Sequence, residues 1–313
     1  HTKRVAGLTV AVAEAINAKN DGVFKDARFS PDELNELRMA GWLHDIGKVI
    51  TPEWVVNKGT KLEKIIDRIE LIKTRFACIG KSKELAALAQ KVKALSDGNN
   101  ADRVTELERI DKELEAELKQ LGDDLAFIEK SNKPGEFMED EKLARLYKIA
   151  AQTFVEDGVE KPYLDKDELK NLSIRKGSIT EEERLIMQDH VSVTAKMLRE
   201  IPFIKKLKNA PKYASSHHEC MNGTGYPLGL KGDQLDLQSR ILALVDFCEA
   251  LTAKDRPYKK AMPLETAFKI LDSAANNGHL DKELYRLFVE EKVYEKFEAE
   301  AAKAALPPSV EKK

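Results

Sequence analysis

Residues 217–227 read His217-His218-Glu219-Cys220-Met221-Asn222-Gly223-Thr224-Gly225-Tyr226-Pro227. Two adjacent imidazoles before a glycine-rich turn are an unusual way to build a core or a surface, but they suit a metal site beside a ligand-binding loop. The glycines permit positive φ and the proline fixes the exit from the turn, so the loop has a structural role in any case. The segment therefore predicts a metal centre whose other ligands come from elsewhere in the chain.

Further candidate ligands lie on separate segments with helical periodicity. They are His1, His44, Asp45, His190 and Asp246. A single histidine on a helix is more often a packing residue, and the two adjacent pairs, 44–45 and 217–218, are what favour metal binding here. Neighbours on a helix project about 100° apart. Each pair is thus better placed to serve two ions than to hold one, or a single carboxylate can bridge both ions.

Mixed imidazole and carboxylate ligands favour divalent iron, manganese, zinc or cobalt over calcium or magnesium. Two such ions about 3.5–4 Å apart can hold a hydroxide between them and stabilise both the attacking and the leaving oxygen of a phosphoryl transfer. The ligand set therefore predicts phosphoester hydrolysis.

The bulk composition limits the partners and the compartment. The 313 residues predict about two structural units. The 52 basic and 54 acidic residues leave a net charge of -2, which gives no basic field for a nucleic acid polymer. Three scattered cysteines fit reduced thiols, and no apolar run is long enough to span a membrane. We expect a cytoplasmic protein, and the start at His1 suggests that an upstream sensory domain is absent from this chain.

Helical periodicity is nearly continuous, whereas strand signals are scarce, so the sequence predicts an all-α fold. Ser30-Pro31-Asp32-Glu33 predicts the start of the helix that leads to His44, and Thr180-Glu181-Glu182-Glu183 predicts the start of the helix that carries His190. A further helix is expected over residues 140–155.

Residues 59–169 have the composition of long charged helices. Apolar side chains recur every seven residues at Leu107, Leu114, Leu121 and Ile128, and residues 97–100 suit a turn. This pattern predicts a coiled-coil-like antiparallel helical hairpin. Two interpretations stay open: an arm for dimerisation or signal transmission, and an ordinary hairpin packed on its own domain.

The motifs resemble those of a known family. His44-Asp45-Ile46-Gly47-Lys48 resembles the signature of the HD phosphohydrolase superfamily, and residues 217–227 resemble the extended motif of its HD-GYP branch. Further positions of that branch are matched by His1, by His190, by Asp246 with residues 249–252 that follow it, and by the basic segment 255–259. The resemblance covers about residues 1–58 and 170–290.

The resemblance implies an all-α HD-domain helical bundle of the HD-GYP type, formed by residues 1–58 and 170–295. The hairpin at 59–169 would be an insertion, and 296–313 a helix end and tail. Members of the branch hydrolyse the bacterial messenger cyclic di-GMP to pGpG and in some cases to GMP, at a centre of two divalent ions, most often iron or manganese. The metal ligands implied are His1, His44, Asp45, His190, His217, His218 and Asp246.

The resemblance also implies roles beyond the ligands. Asp45 would bridge the ions and Lys48 would neutralise a phosphate oxygen, so both are expected to be catalytic; without the motif, Lys48 would be interpreted as a solvated lysine. Substrate contacts are expected from Lys48, Gly225, Tyr226, Pro227, Arg256 and Lys259. Tyr226 could instead fill its own loop, and the two basic residues could simply be solvated. The same loop is proposed in the family to contact GGDEF domains, and a homodimer through the hairpin is a further expectation.

One position departs from the branch, which usually has Asp where this chain has Asn222. Asparagine keeps the turn propensity but loses a charge. Two other functions remain open at this point: a catalytically weak module that binds a cyclic dinucleotide or a GGDEF domain, and an enzyme for another cyclic dinucleotide such as cyclic GMP-AMP.

Overall fold

The computed structural model describes residues 1–97, 100–135, 137–156, 158–253 and 262–305. These residues are mostly helical, which confirms the all-α class. The helices are α1 (Thr2–Asn17), α2 (Pro31–Leu43), α3 (Glu53–Val56), α4 (Ile69–Asp97), α5 (Asn100–Ser131), α6 (Asp140–Ala150), α7 (Lys166–Leu172), α8 (Glu181–Arg199), α9 (Ala210–Ala214), α10 (Leu237–Thr252), α11 (Leu264–Asn276), α12 (Lys282–Glu290) and α13 (Val293–Ala305). Short 3₁₀ helices cover Ile46–Ile50, Lys205–Leu207 and Gly232–Gln234.

The chain divides into two compact units. One comprises His1–Thr51 and Leu185–Lys313, and the other comprises Pro52–Arg184. We call them the outer-segment unit and the central unit, after their positions in the sequence. The domain boundaries expected from the family, near residues 58 and 170, stay a prediction about domain organisation.

The core of the outer-segment unit forms where α1 packs against α2 and α10. On α1 the apolar positions Val5, Leu8, Val12 and Ile16 are at most 1% exposed, as their spacing predicts. The crossing with α2 is close: a Cβ at Gly41 would lie 2.7 Å from the Cα of Ala6. This close approach holds the end of α2 against α1, and the residue that follows α2 is His44.

The two predicted helix starts are confirmed by their capping contacts. The Ser30 hydroxyl accepts from the backbone N–H of Glu33, while the Glu33 carboxylate accepts from the Ser30 N–H at 2.8 Å. Thr180 and Glu183 make the same reciprocal pair at the start of α8. Such caps stabilise a helix by about 0.5–2 kcal/mol each. They fix the start of two helices that lead to site histidines.

In the central unit α4 and α5 run antiparallel, with ion pairs from Lys73 to Glu129 and from Lys83 to Glu117. The predicted heptad positions on α5 are buried to different extents. Ile128 and Leu121 are buried, whereas Leu114 and Leu107 are only half-buried. Ile110, which lies between these last two positions, is 2% exposed, so the apolar contact between α4 and α5 continues beyond Leu114 through a position outside the strict seven-residue spacing. The centre of the turn expected at 97–100, residues 98 and 99, lies outside the described residues.

The helix expected over 140–155 ends earlier, at Ala150, and a small β-hairpin follows. Strand β1 (Thr153–Glu156) pairs antiparallel with β2 (Val159–Pro162). Gly158 has a φ of 77°, which a turn accepts and a helix does not. The ring of Phe154 contacts Tyr163, so a tertiary contact adds to the local preference for a turn. The prediction was wrong here because it extended a helical pattern into β-branched residues beside a glycine.

None of the described helices is both long and apolar enough to cross a membrane. At the C-terminus α13 continues to Ala305, and the tail expected at 306–313 lies outside the described residues.

Candidate metal centre

The structure brings the seven candidate ligands together in the outer-segment unit, from five parts of the chain. His1 is the N-cap of α1, His44 is the C-cap of α2 with Asp45 next to it, His190 lies on α8, His217 and His218 follow α9, and Asp246 lies on α10. Within each of three overlapping sets, donor atoms lie within 4.8 Å of one another. The sets are His190, His217 and His218; His1, His44 and Asp45; and His44, His217 and Asp246. Such a cluster of imidazoles and carboxylates can hold a metal ion.

Two histidines face the same pair of carboxylate oxygens. The Nε2 atom of His1 lies 3.5 Å from Oδ2 of Asp45 and 3.3 Å from Oδ1 of Asp246. The Nε2 atom of His44 lies 3.4 Å from each of the same oxygens. We call these four residues the His1 group.

A second set of imidazoles faces the other oxygen of Asp45. Its Oδ1 atom lies 3.3 Å from Nε2 of His190 and 3.8 Å from Nε2 of His217. The His218 ring lies beside both, at centroid distances of 5.3 and 4.1 Å. We call these three histidines with Asp45 the His190 group. Because its two oxygens face different groups, Asp45 has the geometry of a bridging carboxylate.

Backbone carbonyls fix the tautomer of three of these rings. The Nδ1 atoms of His44, His190 and His217 lie 2.5–2.7 Å from the carbonyl oxygen three residues earlier in each case. A carbonyl can only accept, so each Nδ1 carries a proton, and in the neutral imidazole the lone pair is then at Nε2. Such outer hydrogen bonds are typical of metal-ligating histidines.

Four buried donor atoms of the centre make no hydrogen bond in the described part of the chain. They are His44 Nε2, His190 Nε2 and His217 Nε2, together with Asp45 Oδ1. A buried polar atom without a partner costs about 1–3 kcal/mol, so such atoms are rare in native proteins. Four of them directed at one centre fit a divalent transition metal, because imidazole nitrogen and carboxylate oxygen are its usual donors.

The electrostatics of the centre favour the ligand forms of His217, His218, Asp45 and Asp246, whereas Asp246 and Asp45 raise the pKa of His1 to about 11 and, against the effect of burial, that of His44 to about 9. An ion that binds His1 and His44 must therefore displace a proton from each ring. Burial lowers the pKa of His217 well below its usual value and that of His218 to about 4, so both rings are neutral at pH 7. Burial raises the pKa of Asp246, but the facing imidazoles of His1 and His44 lower it by more, so the net shift is well downward. The pKa of Asp45 is lowered in the same way by His1, His190 and His44, against the effect of burial. Both carboxyls are therefore ionised.

Thr194, which the sequence reasoning did not select, holds the turn that carries His44 and Asp45. It lies one helical turn after His190 on α8. Its hydroxyl accepts from the Gly47 N–H at 3.0 Å and donates to the His44 carbonyl at 3.2 Å. The two histidines are thereby tied to each other through one side chain.

Gly47 is expected to tolerate no side chain. A Cβ at this position would lie 2.0 Å from the carbonyl oxygen of His190 and 2.7 Å from the backbone nitrogen of Thr194. Backbone atoms can yield only if α8 moves, so Gly47→Ala should destabilise the protein by about 1–3 kcal/mol. It should also weaken metal binding, because His190 would move. Urea unfolding and metal analysis check both effects.

Gly122 supplies the control for that substitution. It is helical and has nothing within 4 Å of an added Cβ. Gly122→Ala should leave metal binding unchanged and raise stability by up to about 1 kcal/mol. Equal behaviour of the two variants would show that the close approach at Gly47 does not matter.

The glycine-rich loop after His218 is held by a buried carboxylate. Glu219 is 3% exposed and accepts from the backbone N–H groups of Leu228 at 2.7 Å and Leu230 at 2.8 Å. A Cβ at Gly225 would lie 2.4 Å from the Cys220 nitrogen, so the returning chain passes too close for any other residue. The loop is therefore folded against its own first residues.

Tyr226 stacks on His218 within this loop, with ring centroids 4.8 Å apart and planes 24° apart. Unlike His44, His190 and His217, His218 is oriented by an aromatic ring. This contact places the tyrosine next to the His190 group.

Asn222 uses the amide that distinguishes it from aspartate. Its Nδ2 donates to the Asn277 carbonyl at 3.0 Å, while its Oδ1 accepts from the backbone and the hydroxyl of Thr224. A carboxylate at pH 7 could not make the first of these bonds. The departure from the family pattern therefore anchors the loop to the turn after α11.

The remaining predicted site residues are placed as follows. Lys48 lies on the 3₁₀ helix after Asp45, and its Nζ is 2.6 Å from Oδ2 of that residue. Gly225, Tyr226 and Pro227 lie in the loop just described. Arg256 and Lys259 lie outside the described residues.

Comparison with known proteins gives matches to family models and to curated relatives. Two family models, each described as an HD domain, match residues 166–284 and 1–128. A 3'3'-cGAMP-specific phosphodiesterase of Vibrio cholerae is 36% identical over 116 residues, which are 37% of this chain and 22% of that protein. A cyclic di-GMP phosphodiesterase of Pseudomonas aeruginosa is 35% identical over 113 residues, 36% of this chain and 26% of that protein. One from Thermotoga maritima is 33% identical over 106 residues, 32% of this chain and 27% of that protein. The matched segments thus span about a quarter of the length of these curated relatives.

Proposed function

Because the chain belongs to the HD domain family and carries the motif of its HD-GYP branch, we propose that it is a metal-dependent phosphodiesterase that opens cyclic di-GMP to pGpG. Hydrolysis of pGpG to GMP is a second step to be tested. The observation that carries the proposal is the position of Asp45, whose two oxygens face two separate sets of imidazoles. A bridged pair of ions is a common arrangement for phosphodiester hydrolysis.

We assign two divalent ions to the centre, with iron or manganese as the metals to test first. The His1 group (His1, His44, Asp45 and Asp246) would hold one ion, and the His190 group (Asp45, His190, His217 and His218) would hold the other. When bound, the pair supplies Lewis-acid polarisation of the phosphate and activation of water. Asp45 and Asp246 bring two negative charges to this site, which offset part of the charge of the ions.

The side chains beside the ligands are assigned to the substrate. The Lys48 ammonium lies next to Asp45 and is one-third exposed, so it can reach both the centre and a bound phosphate. Its charge would stabilise the negative charge that develops on phosphate oxygens. The Gly225-Tyr226-Pro227 loop adjoins His218 and would form a wall of the substrate site. Arg256 and Lys259 are assigned to the second phosphate or to a guanine edge on the strength of the motif alone.

A second substrate has specific support. One of the relatives above is named as specific for 3'3'-cGAMP, at an identity similar to that of the cyclic di-GMP enzymes. Cyclic GMP-AMP therefore stands as the alternative substrate. A catalytically weak binding module is less favoured, because all seven ligands that the family resemblance implies are present in this chain.

We also propose partners for the surfaces outside the centre. The motif loop is the candidate contact for a GGDEF domain. The α4–α5 pair is the candidate dimer contact, and its support is an exposed apolar stripe on α4, made of Leu85, Leu88, Val92 and Leu95. A bacterial second messenger as substrate would place the activity in the cytoplasm.

A turnover screen tests the function directly. Protein loaded with Mn²⁺ or Fe²⁺ is incubated with cyclic di-GMP, 3'3'-cGAMP and cyclic di-AMP, and the products are separated by chromatography. We expect pGpG from cyclic di-GMP, and loss of product after metal chelation. Faster cleavage of 3'3'-cGAMP would favour the second substrate, and no turnover by metal-loaded protein would refute the enzyme proposal.

A further inference from the structure

His1 differs from the neighbouring ligand histidines in what holds its ring. His44, His190 and His217 each donate Nδ1–H to a carbonyl of their own backbone. The Nδ1 atom of His1 instead contacts the carboxylate of Glu249 on α10. A side chain from another helix thus provides at His1 what the backbone provides at the other three rings.

A single helix contacts both edges of the His1 ring. Asp246 and Glu249 are three residues apart on α10 and share a face of that helix. Oδ1 of Asp246 lies 3.3 Å from Nε2, while Oε2 of Glu249 contacts Nδ1. Because a carboxylate can only accept, Nδ1 carries a proton, and in the neutral ring the lone pair is then at Nε2, which faces Asp45 and Asp246.

Glu249 is itself held in place. Its side chain is only 2% exposed, and a carboxylate this deeply buried needs a partner. Its second oxygen, Oε1, lies 3.5 Å from Nε of Arg4. Arg4 also pairs with Glu298 and lies over the ring of Phe297, so α13 completes the chain of contacts.

We propose that Glu249 is a positioning residue for His1 that sets the affinity of the His1 group for its ion. Through Arg4 and Glu298 it also links that affinity to the packing of α13. The inference rests on the metal centre of the proposed function but does not depend on the substrate. Outer hydrogen-bond partners of metal-ligating histidines typically contribute about 10–100-fold in metal affinity.

Mn²⁺ titration of the purified chain tests the proposal, with free Mn²⁺ measured by electron paramagnetic resonance. Glu249→Leu should weaken the binding of one of the two Mn²⁺ ions by about 10–100-fold. The affinity for the other ion should stay unchanged, because no contact joins Glu249 to the His190 group in the described residues. Glu249→Gln should have a smaller effect, since its amide oxygen still accepts from Nδ1–H. The visible absorption of bound Co²⁺ should change for one ion only. If Glu249→Leu does not fold, as judged by circular dichroism, Glu249→Gln carries the test.

A double substitution separates positioning from general damage. In a His1→Asn background, Glu249→Leu should cause no further loss of affinity, because the ring it holds is absent. Arg4→Gln and Glu298→Gln should give intermediate losses at the same ion. The matched control is Glu36→Leu, which removes an equally buried carboxylate that accepts from Asn209. It should leave both affinities unchanged.

The outcomes distinguish this inference from the proposed function. Equal Mn²⁺ affinities in the wild type and both Glu249 variants, with turnover intact, would overturn the positioning role alone. So would a further loss in the His1→Asn background as large as in the wild type. Selective weakening of one ion in a protein that hydrolyses no cyclic dinucleotide would support the positioning role and refute the enzyme proposal.

Discussion

Asp45→Asn is expected to lower kcat/KM for the cyclic dinucleotide by on the order of 10³-fold, which is about 4 kcal/mol of transition-state stabilisation. Asp45 is the one residue shared by the two ligand groups, with one oxygen facing each. Asparagine keeps an oxygen for one group and presents an uncharged amide nitrogen to the other. Turnover and metal content should therefore fall together, and both are measured on the same preparation.

Stability gives a readout of the same substitution that does not involve substrate. An ion that binds only the folded protein stabilises it by about 2.7 kcal/mol at 100 times its dissociation constant. The wild type should gain stability from Mn²⁺, and Asp45→Asn should lose most of that gain. The matched control is Asp124→Asn, because Asp124 is a buried carboxylate of the central unit, paired with Arg145. Full turnover or full metal content in Asp45→Asn would contradict the bridging role.

The ligand residues could be predicted from the sequence because several of them stand next to one another in recognisable motifs. The pairs 44–45 and 217–218 are unusual within their own segments, and their neighbours carry the motif. The sequence could not give the pairing of donors: that His1 and His44 face one oxygen of Asp45, and His190 and His217 the other, depends on how α1, α2, α8 and α10 pack. The structure supplies that arrangement.

Residues that position ligands were missed, because their role depends on contacts distant in sequence. Thr194 meets the Gly47 nitrogen across 147 positions and Glu249 meets His1 across 248. For Glu249 a local signal existed, since it lies three residues after Asp246 and so shares its helical face. Thr194 follows His190 at the equivalent helical spacing of four residues. Polar residues one helical turn from a predicted ligand are therefore the candidates for positioning roles that a sequence can offer.

The fold class followed from periodicity, but the ends of elements did not. Ser30 and Thr180 were identified as helix starts because capping uses residues within one turn. The end of α6 at Ala150 and the hairpin after it involve Phe154 and Tyr163, which meet only in the folded central unit. Local capping signals were reliable here, whereas a helix end set by tertiary contacts was not.

Lys48→Met is expected to lower kcat by about 10²–10³-fold, the range typical for removal of one group that stabilises transition-state charge. Metal content should stay at the wild-type level, because a protonated lysine has no lone pair for a metal and Lys48 belongs to neither ligand group. This combination, low turnover with full metal, is the opposite of the result expected for Asp45→Asn. Single-turnover kinetics and metal analysis of the same sample check it.

Whether the substitution changes kcat or KM shows which role Lys48 has. A charge that acts only in the transition state lowers kcat and kcat/KM together, whereas a lysine that merely binds the substrate raises KM and leaves kcat unchanged. Lys48→Arg should recover part of the rate, because it restores the charge but not the compact ammonium. Lys212→Met is the matched control, since Lys212 makes an equally short bond of 2.6 Å to Asp236. Its rate should equal that of the wild type, and a comparable loss there would refute a specific role for Lys48.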